Sequence, residues 1–465
     1  FLITNKNYYT LNKVCHIIFN RRVGGRRSYM NNLTGYYKNS PWPVECGGNK
    51  RQKIVSNGVL NSKNKKPKVI TKINNRWNVM FVHRNQGELF LGGTMPSFIG
   101  PKPFGWVQKI NPDDLSVLEE SPKLKCGDHI WCGAIAVNQD GNIIKVNGSY
   151  VHLLDNNCNV IKEKKLSVNQ AHNGFLILSD HTLITKDIRL SNDKETTLTR
   201  LDSKTLETIG DPLTLPEPSM GRIASSYNNG VEHIYVPGKE KIWRIIVSPK
   251  KMEIDYNWNP IYRKNDKMQG LAWDGCISDG SIWFMDNGDI ETVRSIFSKK
   301  PNGRFENFPR TLDWRLPTPW EGRQRLLKFN IETSELQSFE PFSNKKGGII
   351  APPLNIDKHK LCIAWDSVNG GIAGVSYKNN KFEKKWELSI RPTMQPLYFD
   401  KTNELVINHY NDKSDHLVVI DVLKGEILSK VDLGTPMANG MFLTPGFNND
   451  IYYCSTLAFA KVSWE

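Results

Sequence analysis

The chain has 465 residues, 62 Lys and Arg against 47 Asp and Glu and a formal charge of +15; hydrophobic (39%) and aromatic (10%) fractions with 13 Trp exclude a wholly disordered polypeptide. The charge is uneven, because residues 1–66 hold thirteen Lys and Arg and a single acid, Glu45, which is +12 of the total and leaves +3 for the other 399 residues. A near-neutral body excludes an extended phosphate-tracking surface on the fold, so no specific nucleic-acid binding is expected.

In chain order, residues 1–66 read as a basic extension outside the fold, charged and without strand periodicity. Its longest apolar run, Val14 to Phe19, is interrupted by His16 and is too short for a signal-peptide core or a membrane span. Nothing later reaches transmembrane length. The first Met is Met30, and the Arg-rich, acid-poor character either resembles an organelle transit segment or reflects where the sequence was cut, so the compartment stays open. The eight cysteines contain no Cys-x-x-Cys spacing, and Cys126 with Cys132 is the one pair close enough in sequence to suggest a bridge.

From residue 67 onward one pattern recurs: a small or polar residue, Gly, a short apolar strand, an Asn, Asp or Gly turn, and a second strand. It reads Gly133-Ala-Ile-Ala-Val, then Gly174-Phe-Leu-Ile-Leu, and returns at Gly221, Gly270, Gly348, Pro396 and Gly440, with a weaker copy near Trp77-Asn78. The anchor spacings are 41, 47, 49, 78, 48 and 44, and all but one suit a four-stranded propeller blade. Each unit ends in a second hairpin turning on an Asx residue, as at Asp202, Asn330 and Asp421. The pattern predicts an all-β propeller over 67–465, with about eight four-stranded blades and seven as the alternative. The last unit supplies three strands before the chain ends, and Lys68 to Ile73 is the natural fourth, which closes the ring without exposed edges. The spacing of 78 places a blade insertion at about 289–324 that carries Trp314 and Trp320, either a cover for the channel or a pair of rings packed outside a neighbouring blade.

In a propeller, the starts of the innermost strands and the ends of the second strands meet at one mouth of the central channel. That rule collects Asp128, His129, His172, Asn173, Arg222, Gln269, Gln395 and Asn439 from strand starts, and Lys186, Asp187, Asp286, Asn287, Asp366 and His409 from strand ends. Asn173, Asp286, Asn287 and Asn439 offer the oxygen ligands that a hard cation such as calcium wants. Such a cation polarises an ester or lactone carbonyl while His172 or His129 relays a proton, with Arg222 and Lys186 as further catalytic groups. Asp187, Gln269, Asp366, Gln395 and His409 fall to ligand binding, together with Trp314 and Trp320 of the insertion. The alternative is that strand-end Asx and Gln residues satisfy backbone groups. His83, His152, His233, His359 and His416 lack ligand spacing and read as structural. No Gly-x-Ser-x-Gly elbow, phosphate loop or His-Glu-x-x-His is present.

Gly270-Leu-Ala-Trp through Asp279-Gly280 to Asp286-Asn287-Gly288, and Asn173-Gly174-Phe through Lys186-Asp187, resemble two propeller groups. Eight units and outer hairpins such as Leu201 to Gly210 are similar to quinoprotein-like propellers, which implies a quinone (PQQ) and a quinone-dependent oxidoreductase. Asn-Gly first strands and the Asp-Asn-Gly strand end are similar to the gluconolactonase, paraoxonase and strictosidine-synthase-like group, which implies calcium and a lactone or ester hydrolase. The chain departs from the first in having no vicinal cysteines, and from the second in having more than six units. The leading expectation is a small-molecule site at the channel mouth, a cation-assisted lactone or ester hydrolase if it is an enzyme. A non-enzymatic propeller binding a protein partner or ligand is the second expectation, and the quinone-dependent oxidoreductase the third.

Overall fold

The structure is a computed structural model that describes residues 35–95, 103–128, 132–189, 194–265, 268–286, 322–345, 352–367, 369–411, 413–435 and 442–465. Among them there is no α-helix, and no helix is long and apolar enough to cross a membrane. The chain folds as repeated antiparallel sheets taken in sequence order. Four-stranded examples open on Ala134–Val137, His172–Ile177, Ala224–Asn228, Cys276–Ser278 and Leu354–Ile356. First strands such as Ala134–Val137 are apolar and buried between the channel and the neighbouring sheets, and a fourth strand such as Val160–Lys165 faces solvent.

The predicted Asx turns join the outer strands. Asp202 accepts from the backbone N–H groups of Lys204 (2.8 Å) and Thr205 (2.7 Å), Asn330 from Glu332 (2.8 Å) and Thr333 (2.9 Å), and Asp421 from Leu423 (3.0 Å). Each side chain replaces a strand partner that the tight turn cannot supply.

One sheet has six strands and contains both ends of the fold. In Pro67–His83, residues 67–73 pair with 458–464, from Pro67 opposite Trp464 to Ile73 opposite Ala458, while 77–83 pair with Leu89–Met95. Asp450–Trp464 likewise divides at Leu457, whose φ is 66°, and the Trp464 amide returns to the Asn449 carbonyl at 3.4 Å. Phe81, Leu91 and Trp106 from one half pack with Tyr452, Cys454 and Phe459 from the other. Residues 67–73 and 458–464 thus bring the two ends of the described strands into one sheet.

Residues 35–66, assigned from their charge to an extension outside the fold, lie inside it; residues 1–34 fall outside the described residues. The physical reason is at the inner edges of the first strands, whose amides need acceptors. The segment supplies them: Trp42 O accepts from His83 N (3.0 Å), Pro43 O from Val137 N (2.9 Å), Asn49 O from Ser225 N (2.9 Å), Lys50 O from Ile277 N (2.9 Å) and Lys53 O from Tyr398 N (2.9 Å). The Tyr36 hydroxyl accepts from Ile177 N at 3.1 Å, and Ile54–Val55 pair in parallel with Tyr398 and Phe399. Glu45, Arg51 and Lys53 are at most 2% exposed, so two of the thirteen cations and the single acid are internal.

One further expectation changes. The first strands after Gly270 and Gly348 start only at Cys276 and Leu354, six residues past each anchor, which moves Gln269 away from the channel. Cys126 and Cys132 are both free thiols. The insertion at 289–324 lies between Ser281–Met285 and Leu326–Asn330, and nearly all of it falls outside the described residues, Trp314 and Trp320 included.

Candidate functional site

The chain segments that lead into the first strands bring Cys132, Arg222, Asp274 and Gln395 together around the N-terminal segment 35–66, called the inserted segment below. Arg222 Nη1 lies 3.5 Å from Asp274 Oδ2, its backbone N–H donates to Asp274 Oδ1 at 2.7 Å, and its Nε is 3.1 Å from Glu45 Oε2. Arg51 completes the square, pairing with Glu45 through Nη1 and with Asp274 Oδ2 at 3.1 Å through Nη2. Gln395 donates to Asp274 Oδ2 at 3.3 Å and accepts from the Cys46 thiol at 3.1 Å; Arg222 Nη2 reaches Cys132 Sγ at 2.9 Å, and its guanidinium lies 5.1 Å from the Phe442 ring centroid. Two cations and two anions balance, which lets all four be buried. Burial opposes the charge on Asp274, but Arg51 and Arg222 outweigh it and hold the carboxyl below the usual carboxylate range. Burial pushes the Cys46 thiol up to about 11, so this sulfur is a protonated donor at neutral pH.

Beside this square stand three basic side chains from neighbouring blades. Lys186 is 1% exposed and donates to the Asp187 and Ser219 carbonyls at 3.3 and 3.2 Å; burial pulls it down to about 7 although Asp187 and Asp274 favour its charge. Lys145 is fully buried, its Nζ has no hydrogen-bond partner, and burial lowers it to about 8. Gly133 explains how that ammonium fits: its φ is +69°, and a Cβ there would come 2.9 Å from Lys145 Nζ and 2.3 Å from the Val146 carbonyl. His172 has Nδ1 3.0 Å from both the Gly148 and Gln170 carbonyls, which fixes the proton on Nδ1 and leaves Nε2 as a buried lone pair without a partner. Burial lowers its basicity further.

The strand-end carboxylates do different work. Asp187 Oδ1 accepts from Thr197 N at 2.6 Å and its other oxygen pairs with Arg189; Asp286 Oδ1 accepts from Arg325 N at 2.7 Å and Oδ2 from Arg325 Nε at 2.7 Å. Asp366 accepts from Asn369 N at 3.2 Å and from Asn369 Nδ2 at 2.9 Å. In all three the end of a second strand is clasped to the turn or strand that follows. His409 uses Nδ1 to accept from Arg391 N at 2.9 Å, and Gln269 Oε1 accepts from Lys264 N at 2.6 Å. Asp128 is exposed and bonded to Asn169 at 3.0 Å.

Of the expected site, therefore, Arg222 and Gln395 meet in one network, with Lys186, Asp187 and His172 next to it. Asp286, Asp366, Gln269 and His409 act on backbone. His129, Asn287, Trp314, Trp320 and Asn439 fall outside the described residues, as does the side chain of Asn173. Of the expected calcium set only the Asp286 side chain lies among the described residues, and there Arg325 donates to both of its oxygens. Sequence reasoning missed Glu45, Arg51, Asp274 and Lys145. Asp274-Gly275 reads as one more turn, and Lys145 sits inside an apolar strand, Ile143–Asn147, where a lysine is itself the signal.

No family model matches the chain, and no curated protein matches it either. Solved structures do. The Dos1 propeller aligns with a TM-score of 0.55 at 10% identity, covering 87% of this chain and 97% of that one. A europium-containing methanol dehydrogenase aligns at 0.54 and 8%, covering 90% and 89%, and the quinohemoprotein alcohol dehydrogenase ADHIIG from Pseudomonas putida HK5 at 0.55 and 9%, covering 93% and 80%. The chain is a β-propeller. At such identities the likeness is one of fold, and activity must be argued from the site.

Proposed function

We propose that the end of the channel where the first strands begin is a small-molecule site for carboxylates or carbonyl compounds, bound against Lys145, Lys186 and Arg222. The observation that carries this reading is the Lys145 ammonium, fully buried and without a hydrogen-bond partner. A buried cation left unbonded costs stability, and a bound acceptor oxygen removes that cost. Arg222 and Lys186 have their charges balanced or their protons committed to carbonyls, so Lys145 is the group with a bond to give.

Ester or lactone hydrolysis is the reaction this set serves best. His172 Nε2 takes the proton of an attacking water, and the lysine and arginine cations stabilise the oxyanion that develops on the carbonyl oxygen. No step is routed through calcium, because Asp286 is committed to Arg325.

Thermal midpoints measured at pH 7 with a panel of small carboxylates and lactones test the reading, since a ligand that binds only the native state raises the midpoint by mass action. At least one member is expected to raise the wild-type midpoint and to leave Lys145→Met unmoved. If no member shifts the wild type and none is turned over, the channel mouth is a protein-recognition surface instead. Equal shifts in wild type and Lys145→Met would put the ligand elsewhere.

A further inference from the structure

The N-terminal segment 35–66 lines a cavity on its flank that faces the first and last blades. It encloses about 440 Å³, within the usual range for small ligands, and is walled by Trp42, Cys46, Lys50, Arg51, Ser56 and His83 with glycines and prolines between them. Among the described residues no carboxylate lines it, whereas two cationic side chains do.

Two lining side chains carry polar atoms that the protein leaves unbonded. His83 is 1% exposed; its Nε2 lies 2.7 Å from the Pro445 carbonyl, so Nε2 bears the proton, and Nδ1 is a lone pair with no donor. Arg51 is also 1% exposed, with Nη1 given to Glu45 and Nη2 to Asp274, and its Nε–H has no acceptor. Buried groups of this kind are costly unless something satisfies them. The backbone that places them is itself unusual, because Cys46 (φ 59°), Arg51 (φ 54°) and Lys53 (φ 59°) are all left-handed without being glycine.

A ligand that completes this cavity needs an acceptor for Arg51 Nε, a negative charge for Lys50, a donor for His83 Nδ1 and an apolar body between Trp42 and the prolines. We infer that the cavity binds a small hydroxy-aromatic carboxylate, with its carboxylate on Lys50 and Arg51 and its hydroxyl on His83. This site is separate from the one proposed at the strand starts, and its ligand touches neither Lys145 nor Lys186.

Calorimetric titration of the full chain with 4-hydroxybenzoate tests it, with benzoate and phenol as probes that lack one anchor each. Binding to the wild type is expected, at least tenfold weaker for each truncated probe, and at least tenfold weaker for Lys50→Met and for Ser56→Trp, which fills an exposed wall. His83→Phe keeps a ring in the wall and removes the lone pair, so it should erase the preference for 4-hydroxybenzoate over benzoate. Lys145→Met should bind as the wild type does. No binding of 4-hydroxybenzoate up to about 10 mM, or binding that Lys50→Met and Ser56→Trp leave intact, overturns the proposal.

Discussion

Arg51 Nη2 lies 3.1 Å from Asp274 Oδ2, an ion pair that joins the inserted N-terminal segment to the entry of a first strand 223 residues later. Neither side chain is more than 1% exposed. Breaking one side of such a pair leaves a buried charge uncompensated, which costs about 3–5 kcal/mol. Arg51→Met should therefore lower stability in urea by that order, and Asp274→Asn should also destabilise. The double variant should lose less than the sum of the two, because both changes act on one pair. Additive losses would mean that the two residues do not communicate.

The same segment supplies backbone acceptors to first-strand amides at His83, Val137, Ser225, Ile277 and Tyr398. Removing residues 1–60 should lower the thermal midpoint markedly, because those buried amides lose their partners and Glu404 loses its bonds to Asn61 N (2.7 Å), Ser62 N (2.7 Å) and Ser62 Oγ (2.6 Å) only in part, the residues themselves being kept. Removing 1–75 should lower it further by taking the strand opposite 458–464. A midpoint unchanged by the first truncation sinks the inserted-segment account, and equal midpoints for the two sink the closing strand and with it the eight-unit reading.

Two buried groups give stability an opposite dependence on pH on either side of neutrality. Burial raises Asp415 from 3.8 to about 7, despite bonds from Tyr453 and Asn408 that favour its charge. The folded state then holds a proton that the unfolded chain has released, so stability falls as pH rises from about 4 to 7. Burial lowers Lys186 from 10.5 to about 7, and here the unfolded chain binds the extra proton, so stability rises as pH climbs from 7 towards 10.5. The buried histidines His83, His152 and His409, each lowered to about 4, titrate over the same acid range with the opposite sign, so the difference in urea midpoint between wild type and variant isolates each group. Asp415→Asn should lose stability relative to wild type below about pH 7 and Lys186→Met should gain it below about 10; a difference that does not change with pH for either variant would refute the assignment.

The blades were legible in the sequence because a strand, an Asx turn and another strand recur at a near-constant period, and Asp202, Asn330 and Asp421 bond as that pattern requires. First-strand starts were less so: Gly270 and Gly348 look like Gly133, yet their strands begin six residues later, so Asp274 and not Gln269 reaches the centre. The inserted segment has no periodic signature, since it bonds through carbonyls and any side chain can carry a carbonyl. Its one clue was chemical. Glu45 is the single acid among thirteen cations, and it is the partner of Arg51 and Arg222.

Gly133 offers a direct probe of the Lys145 pocket. Its φ of +69° and the 2.3 Å approach that a Cβ would make to the Val146 carbonyl predict that Gly133→Ala destabilises by about 1–3 kcal/mol. Lys145→Met should do the reverse and raise stability, because it removes a buried ammonium that nothing bonds. A residue whose removal stabilises the fold is retained for another purpose, which is the trade expected at a binding site. Loss of stability in Lys145→Met would make the lysine structural.

Asp286 decides between a clasp and a metal ligand. Its two oxygens take the Arg325 backbone N–H and Nε, each at 2.7 Å, and so tie the end of Ser281–Met285 to the start of Leu326–Asn330 across a long connection. A clasp holds the ends of that connection together whether or not calcium is present. Asp286→Ala should then lower stability by about 2–3 kcal/mol, the usual cost of removing a charge-assisted bond, by the same amount in calcium and in chelator. Arg325→Met should match it, and the double variant should add little, since one interaction cannot be lost twice. A metal ligand behaves otherwise: calcium would raise the wild-type midpoint by mass action and leave Asp286→Ala unmoved, while Arg325→Met would strengthen the response by freeing the carboxylate. Midpoints of the four proteins with and without calcium separate the outcomes, and a calcium shift present in wild type and absent from Asp286→Ala would overturn the clasp.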